Sequence, residues 1–274
     1  MVVSDRRQIA HYGKGCRIGT IPQHRFERGE LVDAGGEFDI HAGELTRIES
    51  DAIGDLVKMQ QEVGLLVATD GEARRSFWHY DFMGGLDGMA LEQRDPAEGV
   101  QFHGVTLRPT FPTITGRLDF PDDHPMLAHF KFLASVCQTT PKISIPGPSC
   151  CHFRTAKADI HPAEYQDVEV LLADLARTYA KAVHKFYEAG CRYLQMDDIF
   201  FAYLCDPKIR EQKRQEGLDP DWLINQYAKT MHAAIADRPA DMVIGMHMCR
   251  GNFRSTWAAE GAYDLVADAR SFAA

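Results

Sequence analysis

The chain has 274 residues, 45% apolar and 25% charged, a globular composition with ample core material that excludes disorder as the default. Its 39 acidic against 30 basic residues give a formal charge of -9 with no long basic run, which argues against nucleic acid or an anionic membrane surface as a partner. Seven cysteines without a regular framework, no apolar signal region after Asp5-Arg6-Arg7 and no membrane span of about 18 apolar residues predict a cytoplasmic chain with free or metal-bound thiols.

The first fifteen residues are polar and predict a loose start, followed by a short strand at Arg17 to Pro22. Ala42 to Val63 reads as a helix with Leu45, Ile48, Ile53, Leu56, Val57 and Met59 on its apolar stripe and Gly64 as its stop. A strand at Leu65 to Thr69 then runs into Asp70-Gly71-Glu72 and Arg74-Arg75, either a site edge or a solvated loop. Arg74-Arg75, and Arg250 with Arg254, are the basic clusters suited to an anionic small molecule. An aromatic group at Phe77 to Tyr80 precedes the flexible Gly84 to Gly88. Val100 to Leu107 and Phe111 to Phe120 predict a hairpin excursion, around 78–112, that leads into a third barrel strand near Ile114.

Pro125 to Val136 is helical, and Lys142 to Ile145 is a strand cut off by Pro146-Gly147-Pro148. Adjacent residues on a strand face opposite ways, so Cys150 and Cys151 are expected as one buried and one loop thiol. The clearest helix runs from Pro162 to Ala189, with Val168, Leu171, Leu172, Leu175, Tyr179, Val183 and Phe186 along its core face. Cys191 to Met196 is a strand ending in Asp197-Asp198, two carboxylates that need a cation, either a ligand amine or a structural arginine. Helices at Pro207 to Glu216 and Asp221 to Ala236 lead to a strand at Met242 to Met246, and a last helix spans Thr256 to Ala274.

Residues two apart on a strand share a face, so His247 and Cys249 project together: a two-ligand claw for a soft metal, or a core thiol beside a hydrogen-bonded imidazole. Strands and helices alternate, and polar residues gather where strands end, at Thr20, Asp70 with Glu72, Ser149, Asp197, and His247 with Cys249. That pattern predicts a single (β/α)8 barrel domain over 1–274, with its site at the mouth.

IGTIPQ at Ile18 to Gln23, TDGEARR at Thr69 to Arg75, YLQMDD at Tyr193 to Asp198 and HMCRGN at His247 to Asn252 occur in the order seen in cobalamin-independent methionine synthases. The chain resembles the short members of that family, which have only the catalytic barrel, from about Ile18 onward. The resemblance implies a TIM barrel with zinc at its mouth that transfers a methyl group from a methyltetrahydrofolate-type donor to the thiol of homocysteine, giving methionine. By position, His247 and Cys249 resemble two zinc ligands, and Glu72 and Asp197 the acids that bind the amino acid's ammonium group. Ile18, Gly19 and Thr20 resemble the segment that holds its carboxylate, with Thr where Ser is usual.

The family's remaining ligands, a Glu and a Cys on later strands, find no match. Strands near Ile18, Val67, Ile114, Ile143, Leu194 and Ile244 make about six of eight, so the chain reads as a barrel truncated at its C-terminus. Glu260 is too near Cys249 to serve, and Cys150 or Cys151 is a poor substitute. Open edges would invite self-association. The alternatives are a related zinc barrel that alkylates another thiol, such as coenzyme M, and a catalytically silent truncated barrel.

Overall fold

The computed structural model describes residues 25–27, 30–32, 42–94, 101–102, 105–106, 110–251 and 257–267. Ile18, Gly19, Thr20 and the strand expected around them lie outside the described residues, as does Arg254.

Two short strands, β1 (Arg25–Glu27) and β2 (Glu30–Val32), pair antiparallel. The helix α1 (Ala42–Glu62) ends at Gly64, whose φ of 85° only glycine adopts freely, while Leu65 N–H closes the last turn on Gln60 O at 3.1 Å. Its Ile53 and Val57 pack with Ala68, Ala73 and Leu133.

Next come β3 (Val67–Ala68), α2 (Tyr80–Met83), β4 (Asp87–Gln93), β5 (Gln101–Phe102), β6 (Val105–Thr106) and β7 (Thr110–Asp119). After these, α3 (Pro125–Val136) is capped by His124, whose ring accepts from Met126 N–H at 3.2 Å. It leads into β8 (Thr140–Pro146) and the short α4 (Pro148–Phe153).

The long helix α5 (Val168–Glu188) starts later than Pro162. A 3-10 turn at Ala163–Gln166 intervenes, and Asp167, whose carboxylate accepts from Glu169 N–H, is the cap that wins. The chain continues through β9 (Tyr193–Asp197), α6 (Phe200–Tyr203), α7 (Pro207–Gln215), α8 (Pro220–Ile235) and β10 (Val243–His247). The last expected helix is reduced to α9 (Asp264–Ala267) among the described residues.

β3, β8, β9 and β10 form one parallel sheet in that spatial order. Each is joined to the next through at least one helix, which is the repeating unit of a (β/α) barrel. Outward-facing Ile143, Ile145, Leu194 and Met196 are fully buried, and the helices α5 and α8 pack against each other on that side. Each side chain so buried stabilises the fold by roughly 1.5–3 kcal/mol. None of the described helices is long and apolar enough to cross a membrane.

The strand around Ile114 is real, but it does not join the parallel sheet. β7 pairs antiparallel with β4, with Met89 opposite Ile114, and touches the barrel side through one parallel bridge from Ile114 to Ile160. Alternating polarity identifies a strand and its buried face, not the neighbour it pairs with. The tight hairpin within the excursion is β5–β6, and β4 with β7 forms the longer ribbon that frames it.

Gly147, at the turn from β8 into α4, is required for space rather than for its backbone angle. Its N–H donates to Asp197 O at 2.8 Å, and a Cβ there would lie 2.6 Å from Cβ and Cγ of the fully buried Asp198. Gly147→Ala should therefore cost about 1–3 kcal/mol in urea unfolding, as overpacked cores do. An unchanged midpoint would mean that the β8–α4 turn is not the tight junction described.

Candidate active site

The ends of three strands set the site. In the parallel register Pro146, Asp197 and His247 lie abreast, with Ser144, Gln195 and Gly245 abreast one pleat below. Side chains alternate along each strand, so this polar set faces away from the apolar core side of the sheet. Asp198, the next residue, turns the other way and is fully buried.

Glu72 reaches the same face from beyond β3. The turn Asp70-Gly71-Glu72 holds Gly71 at φ 64° and Glu72 at φ 61°. Left-handed backbone at a glutamate costs on the order of 1–3 kcal/mol, and the Asp70 carboxylate, accepting from Glu72 N–H at 3.0 Å, fixes it. The result brings Glu72 Oε1 to 2.9 Å from Ser144 Oγ and 3.1 Å from Arg75 Nη1. Both partners of this ion pair are nearly covered, with 2% of the Arg75 side chain and 11% of the Glu72 side chain exposed.

Burial raises the pKa of Glu72, and Arg75 with the Ser144 hydrogen bond opposes the rise. Burial also raises Asp197, against the Gln195 amide, which donates to Asp197 Oδ1 at 2.6 Å, and against His247. The charge of Arg75 and a hydrogen bond with Ser144 also hold the pKa of Asp197 down, so a structural arginine acts on this acid. Asp198 accepts from the Ser149 hydroxyl behind the sheet, and burial pushes its carboxyl up to about 7.

His247 and Cys249 share a side-chain hydrogen bond, the leading cause that raises the imidazole pKa and lowers that of the thiol. Asp197 adds to the rise at His247. The Asp197 carboxylate and the His247 imidazole lie abreast, and the Cys249 thiol, two residues past the end of β10, meets the imidazole. An imidazole nitrogen and a thiolate suit zinc as two donors of a tetrahedral set. Among the described residues no group of three or more His, Cys, Asp or Glu is arranged to hold a metal ion, so the fit is that of a pair and not of a complete site.

Cys150 and Cys151 do not join it. Proline opens α4 directly after the strand, and both thiols are buried, correcting the expectation of one loop thiol. Cys150 Sγ lies 3.7 Å from Met83 Sδ and Cys151 Sγ 3.7 Å from Tyr179 Oη. Burial pushes Cys150 far up and Cys151 to about 12.

Arg74, Arg75 and Arg250 each have contacts within the chain. Arg74 donates to Ser50 Oγ at 2.7 Å and covers the Phe132 ring, Arg75 belongs to Glu72, and Arg250 lies over Trp257 and Tyr263. Sequence reasoning gave no role to Ser144, noted Gln195 without one, and read Arg75 as part of a basic cluster for an anionic ligand rather than as the partner of Glu72. The signal available was the two-residue period: counting back from Asp197 gives Gln195, and from Pro146 gives Ser144.

At pH 7 iodoacetamide should modify Cys249 well before Cys150, Cys151, Cys191 and Cys205, all buried with raised pKa values, and His247→Ala should slow it several-fold. Equal labelling rates for these five thiols, or no effect of His247→Ala, would contradict the hydrogen-bonded pair.

The family model described as "Cobalamin-independent synthase, Catalytic domain" matches residues 15–273. The uncharacterized protein YxjH of Bacillus subtilis (strain 168) is 48% identical over 259 residues, covering 94% of this chain and 65% of that protein. The methionine synthase of Sulfolobus acidocaldarius is 23% identical over 238 residues, covering 86% and 61%. Among solved structures, a Listeria monocytogenes protein described as a candidate vitamin-B12 independent methionine synthase is 40% identical with a TM-score of 0.62, covering 79% of this chain and 58% of that one. The chain thus spans less than two thirds of the length of these relatives. It belongs to the cobalamin-independent methionine synthase family, matching its catalytic domain, and its parallel α/β fold is of that family's TIM-barrel type.

Proposed function

We propose that the chain acts as a zinc-dependent methyltransferase that carries a methyl group from a methyltetrahydrofolate-type donor to the thiol of homocysteine. Family membership supports the reaction class, and the observation that carries the acceptor is the row in which Asp197 and His247 lie abreast, with Glu72 joined to it through Ser144. In this reading Glu72 and Asp197 bind the ammonium group, and Ile18, Gly19 and Thr20 bind the carboxylate.

His247 and Cys249 serve as two of the zinc ligands, with the other donors drawn from outside the described residues or from the acceptor sulfur. Bound zinc would supply a thiolate at neutral pH, where a free thiol is largely protonated. The chain's own acids would orient the amino acid around that sulfur, and orientation of this kind supplies roughly 7–11 kcal/mol of a barrier in favourable cases. Buried anions favour a cation over a neutral ligand because each has already lost part of its hydration.

Self-association belongs to the same reading. Within the described sheet β10 pairs on one side alone, and its Val243 is 57% exposed. So does a cytoplasmic setting, which keeps the activated thiol reduced.

Elemental analysis of the purified chain after dialysis against a weak chelator tests the metal assignment. The reading expects close to one zinc per chain, lost in both His247→Ala and Cys249→Ala. A metal-free chain, or full retention in both variants, would overturn it.

A further inference from the structure

Two carboxylates that face one mouth repel each other, and burial raises the cost of ionising both. Something must hold them in place and keep them charged. Ser144 sits between them. Its hydroxyl donates to Glu72 Oε1 at 2.9 Å, while its backbone O accepts from Arg75 Nη2 at 2.6 Å. Arg75 Nη1, which binds Glu72 at 3.1 Å, is also 3.5 Å from Ser144 Oγ. On the other side, Ser144 is the register partner of Gln195, whose amide holds Asp197 at 2.6 Å.

We propose that Ser144 is a positioning residue that ties the Glu72 turn to strand β8 beside Asp197, so that the two acids present one ammonium-sized subsite. The proposal rests on the amino-acid acceptor reading above. Its physical content is a count of protons and charges. Ser144 has a single hydroxyl proton between the two acids: it meets Glu72 Oε1 at 2.9 Å, and Ser144 also holds the pKa of Asp197 down through a side-chain hydrogen bond. The Gln195 amide meets Asp197 Oδ1, and Arg75 brings one positive charge against two negative ones.

Glu72 and Asp197 raise each other's cost of ionisation, Asp70 adds to it at Glu72, and Arg75 is the cation that lowers both acids. An ammonium group brings three donors and one positive charge to this pair of acids. A hydroxyl or a methyl group in its place would leave the acids unmatched.

The groups that act on Glu72 are Arg75 and Ser144, which hold its pKa down, and burial, Asp197 and Asp70, which push it up. Removing the hydroxyl therefore moves Glu72 further up, while threonine keeps the donor.

The test uses the full chain with Ser144→Ala and Ser144→Thr. Carboxyl NMR titration of Glu72 should show an upward shift in Ser144→Ala and near-original behaviour in Ser144→Thr. L-homocysteine should bind about tenfold more weakly to Ser144→Ala, as expected for one lost hydrogen bond to a charged group, while 4-mercaptobutanoate, which lacks the ammonium group, binds unchanged. An unchanged Glu72 titration in Ser144→Ala, or equal weakening of both thiols, would overturn the role of Ser144. If the unmodified chain does not prefer L-homocysteine to 4-mercaptobutanoate, the acceptor reading itself fails, and the Glu72 titration reports separately on the tie.

Discussion

The parallel register of β8, β9 and β10 is the constraint on which the rest depends. Backbone hydrogen bonds continue past the strand ends, from Gly147 N–H to Asp197 O at 2.8 Å and from Asp198 N–H to His247 O at 2.9 Å. They lock the three ends at one level. A slip of one residue in any strand would send its polar side chains to the core side and its apolar ones to the mouth. Register is thus enforced by hydrophobic burial on one face, and the site on the other face inherits the precision.

The two faces divide two adjacent acids between different tasks. Asp197 points to the mouth, beside Gln195 and His247. Asp198 points behind the sheet, meets the Ser149 hydroxyl, and packs so closely on Gly147 that no side chain fits there. Its burial makes the junction between β8, α4 and β9 rigid, which in turn holds Asp197 in place. Glu72 is supplied differently, by a strained two-residue left-handed turn that is fixed by Asp70, with its carboxylate paired to Arg75. Strain at that position is consistent with a site whose geometry outweighs local preference.

Much of this was legible in the residues. α3 was read at its observed bounds, and the strands around Ile143, Leu194 and Ile244 were found from short apolar runs ending in polar residues. β10 ends at His247, so strand alternation does not extend to Cys249; a side-chain hydrogen bond that shifts both pKa values links the two. The partner of β7 was not legible, because alternation is the same whether a strand pairs parallel or antiparallel. Nor was the start of α5, where both Pro162 and Asp167 are competent signals and the aspartate cap prevailed. The buried state of Cys150 and Cys151 was missed because the short α4, opened by Pro148, replaced the extended chain assumed there. Ser144 carried no motif, and Arg75 closed one without a stated partner. Their roles arise from contacts between positions 69 and 72 residues apart.

The central claim is that Glu72, Asp197, His247 and Cys249 form one site for an amino-acid thiol. Its most direct test is calorimetric titration of the zinc-loaded chain and of Asp197→Asn with L-homocysteine and with coenzyme M. The account predicts that the unmodified chain prefers L-homocysteine and that Asp197→Asn loses this preference while coenzyme M binding stays the same. Equal or tighter binding of coenzyme M by the unmodified chain, or an unaltered preference in Asp197→Asn, would contradict it.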